Sequence, residues 1–529
     1  MRIYRAALCF AVGLFLSLSV PWLAFGAAAP EHTEAARPVG SFLVTGFEFT
    51  GNASIETWML EDVVAHGVGQ FLNMDGLNAI ADEITNYYRE QGYWLALAYL
   101  PEQEVSDGVV LIAVREGHYG NVRVESYADV PEELGPRILR DVGPGDVIYG
   151  PRLESAILLL SDVPGVEANA SLSPGSEPGT ADLHVVLRPI ERFVVGWTAN
   201  NHGSGSSNAF RSILNARWDN PRGYGDHFSG SLVSTNSGTH FGRLAYEAPI
   251  NHRELRLNIA YNASRYKLGN EFAALEASGE SRRFSFIANH PVFRGGRVNL
   301  NGEAGYAQTD IHETIASISD SKRTVSALSG ALHAEWRGQS GGTVSATLEV
   351  RQGSVRLRSA SDLVFDQAGP KTAGDFRKAT ADIMVVQPFG AHAAISATAS
   401  GQWASKNLDP TEKLALGGPE GVRAYSPDEA SVDEGWLGHL EVRRNVSLRW
   451  LPGLREGTLF LDVGQGQVNK APWPGSGGPK RVTLAGGGVG LVWHFDPITA
   501  ELSYALPISI GEDAPEAGGL LWWQASMRF

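Results

Sequence analysis

Between Arg192 and Phe529 the chain shows no apolar repeat at helical spacing. It runs instead as segments of roughly ten residues in which apolar side chains alternate with small or polar ones. Leu255, Leu257, Ile259 and Tyr261 fall on one face of such a segment and Arg256, Asn258 and Asn262 on the other. Val344, Ala346, Leu348 and Val350 separate in the same way from Ser345, Thr347, Glu349 and Arg351. Beyond residue 28 no stretch of eighteen apolar residues occurs, so there is no candidate transmembrane helix. A chain that crosses a bilayer without helices has to close its strands into a barrel, because an open edge leaves backbone groups unpaired in hydrocarbon. About 16 segments can be counted, an even number, as single-chain bacterial barrels have. A soluble sandwich also alternates, but there the apolar face is the buried one and the strands are usually shorter.

With the first strand placed at Phe193 and running outward, the connections near 219–226, 249–252, 337–341, 388–391, 449–454 and 494–496 become periplasmic and short. Those near 265–280, 356–373, 406–435 and 467–479 become outer and longer, and 406–435 is then the sixth outer loop. The last segment alternates Leu521, Trp523, Ala525, Met527 and Phe529 onto one face.

The first part of the chain has a different character. Residues 1–28 read as a secretory signal: Arg2 and Arg5 form the charged end, an apolar run follows, and Gly26-Ala27-Ala28 offers small residues for cleavage. An N-terminal membrane anchor is the other reading. Cys9, the single cysteine, stands ahead of most of the apolar run, so a lipoprotein-type cleavage is not expected and the mature chain is expected to lack thiols. Residues 29–40 form a linker that looks too short for a plug helix.

Residues 41–118 alternate strand and helix patterns. A strand is expected over Phe42, Val44, Phe47 and Phe49. A helix begins near Asp75, with Leu77, Ile80, Ala81, Ile84 and Tyr88 on one face. Strands follow over Trp94–Leu100 and Val109–Val114, with a turn at Asp107-Gly108. Residues 119–190 repeat the order: a strand with Val122 and Val124, a helix over Pro151–Asp162, and a hairpin leading into Val185–Arg188.

Within the sixth outer loop lies Leu414-Ala415-Leu416-Gly417-Gly418-Pro419-Glu420-Gly421-Val422-Arg423-Ala424-Tyr425. Its glycines permit sharp reversals, and they leave one guanidinium at the tip. Further on, Thr458-Leu459-Phe460-Leu461-Asp462-Val463-Gly464 puts Leu459, Leu461 and Val463 on one strand face and Phe460 and Asp462 on the other. If the apolar face meets lipid, Asp462 points into a closed interior and needs a partner, and the fork of Arg423 suits it. On residues alone the simpler reading stays open: an exposed loop arginine and a lumenal carboxylate in water.

These residues resemble the VRGY-type tip of the sixth loop and the F-x-D-x-G strand motif of the polypeptide-transporting outer-membrane barrel superfamily. Tyr87-Tyr88-Arg89-Glu90-Gln91-Gly92-Tyr93, followed by Tyr99-Leu100-Pro101, resembles the first POTRA domain of ShlB/FhaC-type transporters, and residues 119–190 resemble the second. The terminal aromatic, with Trp523 and Met527, resembles the signal by which barrels are recognised for insertion. Taken together, the chain resembles a TpsB transporter of two-partner secretion, of the ShlB/FhaC/HecB haemolysin secretion/activation type.

The resemblance implies α+β periplasmic POTRA domains followed by a transmembrane antiparallel β-barrel over 191–529, set in the outer membrane. It implies that Arg423 contacts Asp462 inside the barrel, with Val422, Ala424 and Tyr425 completing the tip and Phe460 and Gly464 completing the wall motif. The expected activity is export of one large unfolded exoprotein, an adhesin or haemolysin, bound through the POTRA domains. Other expected partners are outer-membrane lipid and, during biogenesis, the barrel-assembly machinery. The tip departs from the family pattern at Ala424, where glycine is usual, and alanine tolerates positive φ poorly.

Composition excludes several classes. A formal net charge of −15 without a Lys/Arg cluster argues against a nucleic-acid groove. The 14 histidines include no H-E-x-x-H and there are no paired cysteines, so neither metal nor cofactor is expected. Gly486, Gly488 and Gly490 precede no helix pattern and read as small residues in a barrel strand rather than a nucleotide loop. No G-x-S-x-G elbow appears, and no catalysis is expected. The rival functions are an outer-membrane protein assembly factor of the same superfamily, a diffusion porin and a barrel-anchored surface enzyme.

Overall fold

The alternating segments close into a cylinder in the computed structural model. It describes residues 39–105, 107–203, 210–236, 238–250, 254–267, 276–315, 319–446, 451–476, 480–508 and 518–529. The signal and nearly all of the linker expected at 1–40 lie outside the described residues. The chain divides into two compact units: one comprises the chain up to Thr50 with Glu56–Ile84 and Ala98–Ala113, the other Gly51–Ile55, Thr85–Leu97 and Val114–Phe529.

The first unit contains β1 (Phe42–Leu43), β2 (Gly46–Thr50), α1 (Thr57–Val64), β3 (Phe71–Leu72) and most of α2 (Met74–Glu90), β4 (Leu97–Tyr99) and β5 (Val109–Arg115). Leu77, Ile80, Ala81 and Ile84 are buried along one face of α2, as their spacing requires. The single strand expected over Phe42–Phe49 is broken, because Val44 N–H donates to Gln70 and Thr45 N–H to Gly108, so the chain changes partners between β1 and β2. Helix α1 was not expected: only Leu60 and Val64 of its eight residues are buried, too short a pattern to stand out.

In the second unit, Tyr88, Ser54 and Glu116 interlock. Glu116 accepts from the Ser54 amide (2.7 Å), the Ser54 hydroxyl (2.8 Å) and the Tyr88 hydroxyl (3.1 Å). Burial and the adjacent Glu116 carboxylate push the Tyr88 phenol up, so it remains a donor. The expected strand over Trp94–Leu100 shrinks to β4, because Ala96 N–H turns back to Tyr93 and the Trp94 indole covers Gly150, where a Cβ would fall 2.1 Å from the ring.

The second small domain consists of β6 (His118–Ser126), α3 (Leu134–Ile138), α4 (Gly150–Ser161), β7 (Val166–Pro174) and β8 (Thr180–Pro189), with strand order β6-β8-β7. Leu153, Ala156 and Leu160 of α4 pack with Leu183, Val185 and Leu187 of β8 in its core. Charge pairs tie this domain to the barrel rim: Arg294 reaches both oxygens of Asp162 at 2.6 and 2.8 Å, and Arg192 reaches Asp129 at 3.3 Å. Both carboxylates are substantially exposed, so each pair contributes about 1 kcal/mol or less. Arg294→Ala is expected to leave the barrel folded but speed cleavage by added protease at the junction near residue 190. Unchanged cleavage would show that the pair does not hold the domain.

The barrel closes through sixteen antiparallel strands. They are β9 (Phe193–Asn200), β10 (Arg211–Asp219), β11 (His227–Thr235), β12 (His240–Pro249), β13 (Arg256–Lys267), β14 (Ala277–Arg294), β15 (Val298–Ile315), β16 (Ser319–Arg337), β17 (Thr343–Leu357), β18 (Gly374–Phe389) and β19 (Ala393–Ala404). After two short strands, β20 (Leu414–Ala415) and β21 (Ser431–Val432), come β22 (Glu434–Asn445), β23 (Leu454–Gln467), β24 (Arg481–Phe495), β25 (Ile498–Pro507) and β26 (Leu520–Arg528). Leu244, Leu328 and Leu459 are 62–70% exposed on the outer wall. In water such exposure would be a liability; against lipid tails it is the stable arrangement.

The sixth outer connection runs 405–433, close to the expected 406–435. The expected lack of helix after Arg192 fails at α5 (Ala360–Ala368) in the fifth outer connection. Its apolar residues Leu363, Val364 and Phe365 are consecutive and exposed, so no 3.6-residue period marked it. Asp366 orders the segment that follows by accepting from Thr372 and Ala373 backbone amides at 2.7 and 3.0 Å.

Candidate functional site

Loop 405–433 folds back into the barrel and is held at three levels. At its feet, Asp409 pairs with Arg323 of β16 at 2.6 Å, and Glu412 with Lys378 of β18 at 2.7 Å and Arg351 of β17 at 3.1 Å. Asp433 at the return accepts from the Leu408 amide at 3.0 Å and the Lys470 amide at 2.7 Å, and pairs with Lys413 at 3.2 Å. These carboxylates are almost fully buried, so each would be strongly unfavourable without its cation.

The middle level is apolar. Leu416, Val422, Ala424, Tyr425 and Val432 of the loop pack with Leu437, Phe460, Leu484 and Ala505 of the wall. On this side the interior is apolar, because the loop brings its own small core into the lumen.

The tip carries the charge cluster. Arg423 donates from Nε to Asp462 Oδ2 at 2.8 Å, from Nη2 to Oδ1 at 2.6 Å and from its backbone amide to Oδ2 at 3.1 Å. Its remaining Nη1 reaches Glu441 at 2.7 Å, and Glu441 is in turn held by Arg443 at 2.6 Å. The Asp462-Arg423-Glu441-Arg443 series alternates in sign and sums to zero, which suits a partly dehydrated site. His439 Nδ1 lies 3.0 Å from Asp462, the Arg423 guanidinium carbon lies 3.5 Å from the Phe460 ring centroid, and the Trp522 indole donates to the Arg423 carbonyl at 2.7 Å.

Each member of the strand motif thus has a physical role. Phe460 supports the guanidinium, Asp462 binds it, and Gly464 leaves room for Val422 and Leu437, since a Cβ there would lie 3.3 and 2.7 Å from their methyls. Ala424 does not adopt positive φ. Its buried methyl instead occupies the space over Gly486, where a Cβ would come within 2.5 Å of it. Gly488 likewise admits the Phe460 ring, whose Cζ would lie 2.5 Å from an added Cβ.

The sequence missed Glu441, Arg443, His439 and Trp522. The first three alternate with lipid-facing Leu440 and Val442, and the register His439↔Asp462 places them beside the motif. That alternation was the available signal. Trp523 and Met527, with Phe529 61% exposed, lie on the outer face of the last strand. Trp522 alone among these aromatics turns inward.

The chain matches the family described as haemolysin secretion/activation protein ShlB/FhaC/HecB over residues 179–492, and the ShlB-type POTRA domain over 42–117. It is 25% identical over 465 residues to the heme/hemopexin transporter protein HuxB of Haemophilus influenzae, covering 87% of this chain and 81% of that protein. It is also 25% identical over 523 residues to the outer membrane transporter CdiB of Escherichia coli O6:K15:H31, covering 95% and 84%. The solved structure of CdiB from Escherichia coli superposes with a TM-score of 0.76 at 21% identity, over 95% of this chain and 93% of that one. The structure of BamA from Haemophilus ducreyi shares the fold at a TM-score of 0.51 and 14% identity, covering 92% of this chain and all of that one. That match covers more than half of the chain, from the end of the second small domain through most of the barrel, and the chain belongs to the haemolysin secretion/activation protein ShlB/FhaC/HecB family.

Proposed function

We propose that this chain exports one large, unfolded exoprotein across the outer membrane in two-partner secretion, with the Arg423-anchored loop shaping the pore through which it passes. Members of the family are outer-membrane transporters whose POTRA domains lie in the periplasm and engage TpsA-like exoproteins. The observation that carries the reading for this chain is the anchor itself: a loop from the outer side is fixed deep in a closed lumen by a cluster of alternating charges. A porin needs no POTRA domain.

Strand β7 is an edge of its sheet and pairs only with β8 among the described residues. An extended client can add to such an edge through backbone hydrogen bonds, which give affinity without demanding one sequence. Trp523, Met527 and Phe529 would serve the assembly machinery as the insertion signal, and the outer wall would then contact lipid.

Deleting the gene is expected to leave one large exoprotein in the periplasm while other outer-membrane barrels keep their normal amounts. A general fall in those barrels would favour the assembly factor instead.

A further inference from the structure

The loop divides the lumen unequally. Its ion pairs and its apolar cluster engage the inner faces of β16–β18 and β22–β25. The inner faces of β9–β12 carry a different lining. Thr198, Asn215, Ser229 and Ser231 are small, uncharged and hydrogen-bonding, and the register places them side by side: Asn215 pairs with Gly196 and Ser231, and Ser229 with Ala245.

These residues border a cleft of about 980 Å³ that continues past Glu191 and Phe529, so it opens where β8 runs into β9. That is the end from which a client held by the second POTRA domain would arrive. The lining mixes apolar surface with these weak, exchangeable hydrogen-bonding groups, and two of its cations are already paired, Arg217 with Asp219 and Arg528 with Glu191.

One charge stands out. Arg243 donates to Asn262 Oδ1 at 3.2 Å, and among the described residues it makes no ion pair with a carboxylate. Arg211, on the same wall, likewise donates to an amide oxygen, that of Asn200, at 3.1 Å. The cations on the loop side are neutralised by Asp409, Glu412, Asp433, Asp462 and Glu441. This wall therefore has guanidinium charge to spare.

We propose that the exported chain travels in extended form along the β9–β12 wall, to the side of the Arg423 anchor, and that Arg243 is the wall's contact for carboxylates of the passing chain. The client is thereby expected to present acidic rather than lysine-rich stretches to this wall. The proposal rests on the export reading given above.

The chain's only cysteine is Cys9, so introduced thiols are easily distinguished. The full-length protein carrying Ser231→Cys, or Thr398→Cys on the β19 face opposite His439, is placed in planar bilayers and treated with anionic or cationic methanethiosulfonates. Labelling Ser231→Cys is expected to cut single-channel current by more than half, and labelling Thr398→Cys to leave it nearly unchanged. The anionic reagent is expected to react several-fold faster at Ser231→Cys, with the advantage lost in Ser231→Cys/Arg243→Gln. Block at Thr398→Cys without block at Ser231→Cys, or a reagent preference indifferent to Arg243→Gln, would overturn the proposal. Secretion is read in parallel. Current block at Ser231→Cys combined with normal export by labelled cells would remove this wall as the client's path, whereas absence of any exported protein from wild-type cells would count against the export reading itself.

Discussion

Replacing Arg423 with alanine is expected to lower export of the partner protein on the order of a hundredfold while the barrel remains in the outer membrane. The substitution leaves Asp462, whose side chain is fully buried, and Glu441, whose side chain is 14% exposed, close together without their shared cation. Removing one partner of a buried pair costs about 3–5 kcal/mol, and each 1.4 kcal/mol is roughly tenfold in an equilibrium. The feet of the loop remain tied by Asp409, Glu412 and Asp433, so the loss falls on the tip and not on the barrel. Arg423→Lys keeps the charge but not the fork, and an intermediate level of export is expected. The Arg423→Ala/Asp462→Ala pair should do less damage than the two single changes added together, because the stranded carboxylate is gone. Export assayed against barrel abundance in membrane fractions checks all three. Near-normal export by Arg423→Ala would separate the anchor from transport.

The second large effect concerns one methyl group. Gly486→Ala is expected to displace the tip, since its Cβ would lie 2.5 Å from that of Ala424 and 3.2 Å from the Leu506 carbonyl. The first contact is between two side chains with no freedom to rotate away, and overpacking of this kind costs about 1–3 kcal/mol. Ala424→Gly alone removes a buried methyl and should be mild, about 1 kcal/mol or less. In combination, the methyl moves from the loop to the wall and the volume is restored, so Gly486→Ala/Ala424→Gly is expected to recover most of the lost export. Failure of the double variant to recover would mean that Gly486 is required for something other than room for the tip.

Most of this architecture could be read from the chain because its periodicities are strong. Alternation over residues 192–529 required a closed barrel, and Leu459, Leu461 and Val463 set the facing of Asp462 before any partner was known. The anchor was readable only through the motif, since a lone arginine in a long loop has no period to place it. What stayed hidden lacked such a repeat. Helix α5 carries three consecutive apolar residues, and α1 buries two. The carboxylates Asp409, Glu412 and Asp433 look like ordinary loop residues until the fold brings Arg323, Lys378 and Lys413 to them. The role of Ala424 is not legible from φ preference alone. The space it fills is made by Gly486, distant in sequence, and only packing reveals the exchange.

The central claim is that the loop tip is seated against the inner wall at β23. Cysteines at Val422 and Gly464 test it in native outer membranes, because Val422 Cγ2 lies 3.3 Å from where a Gly464 Cβ would stand, within reach of a disulfide. Mild oxidation should join the two in most of the molecules, with a shift in electrophoretic mobility that reduction reverses. Free thiols that stay open to a membrane-impermeant label under the same oxidation would place the tip outside the lumen and contradict the account.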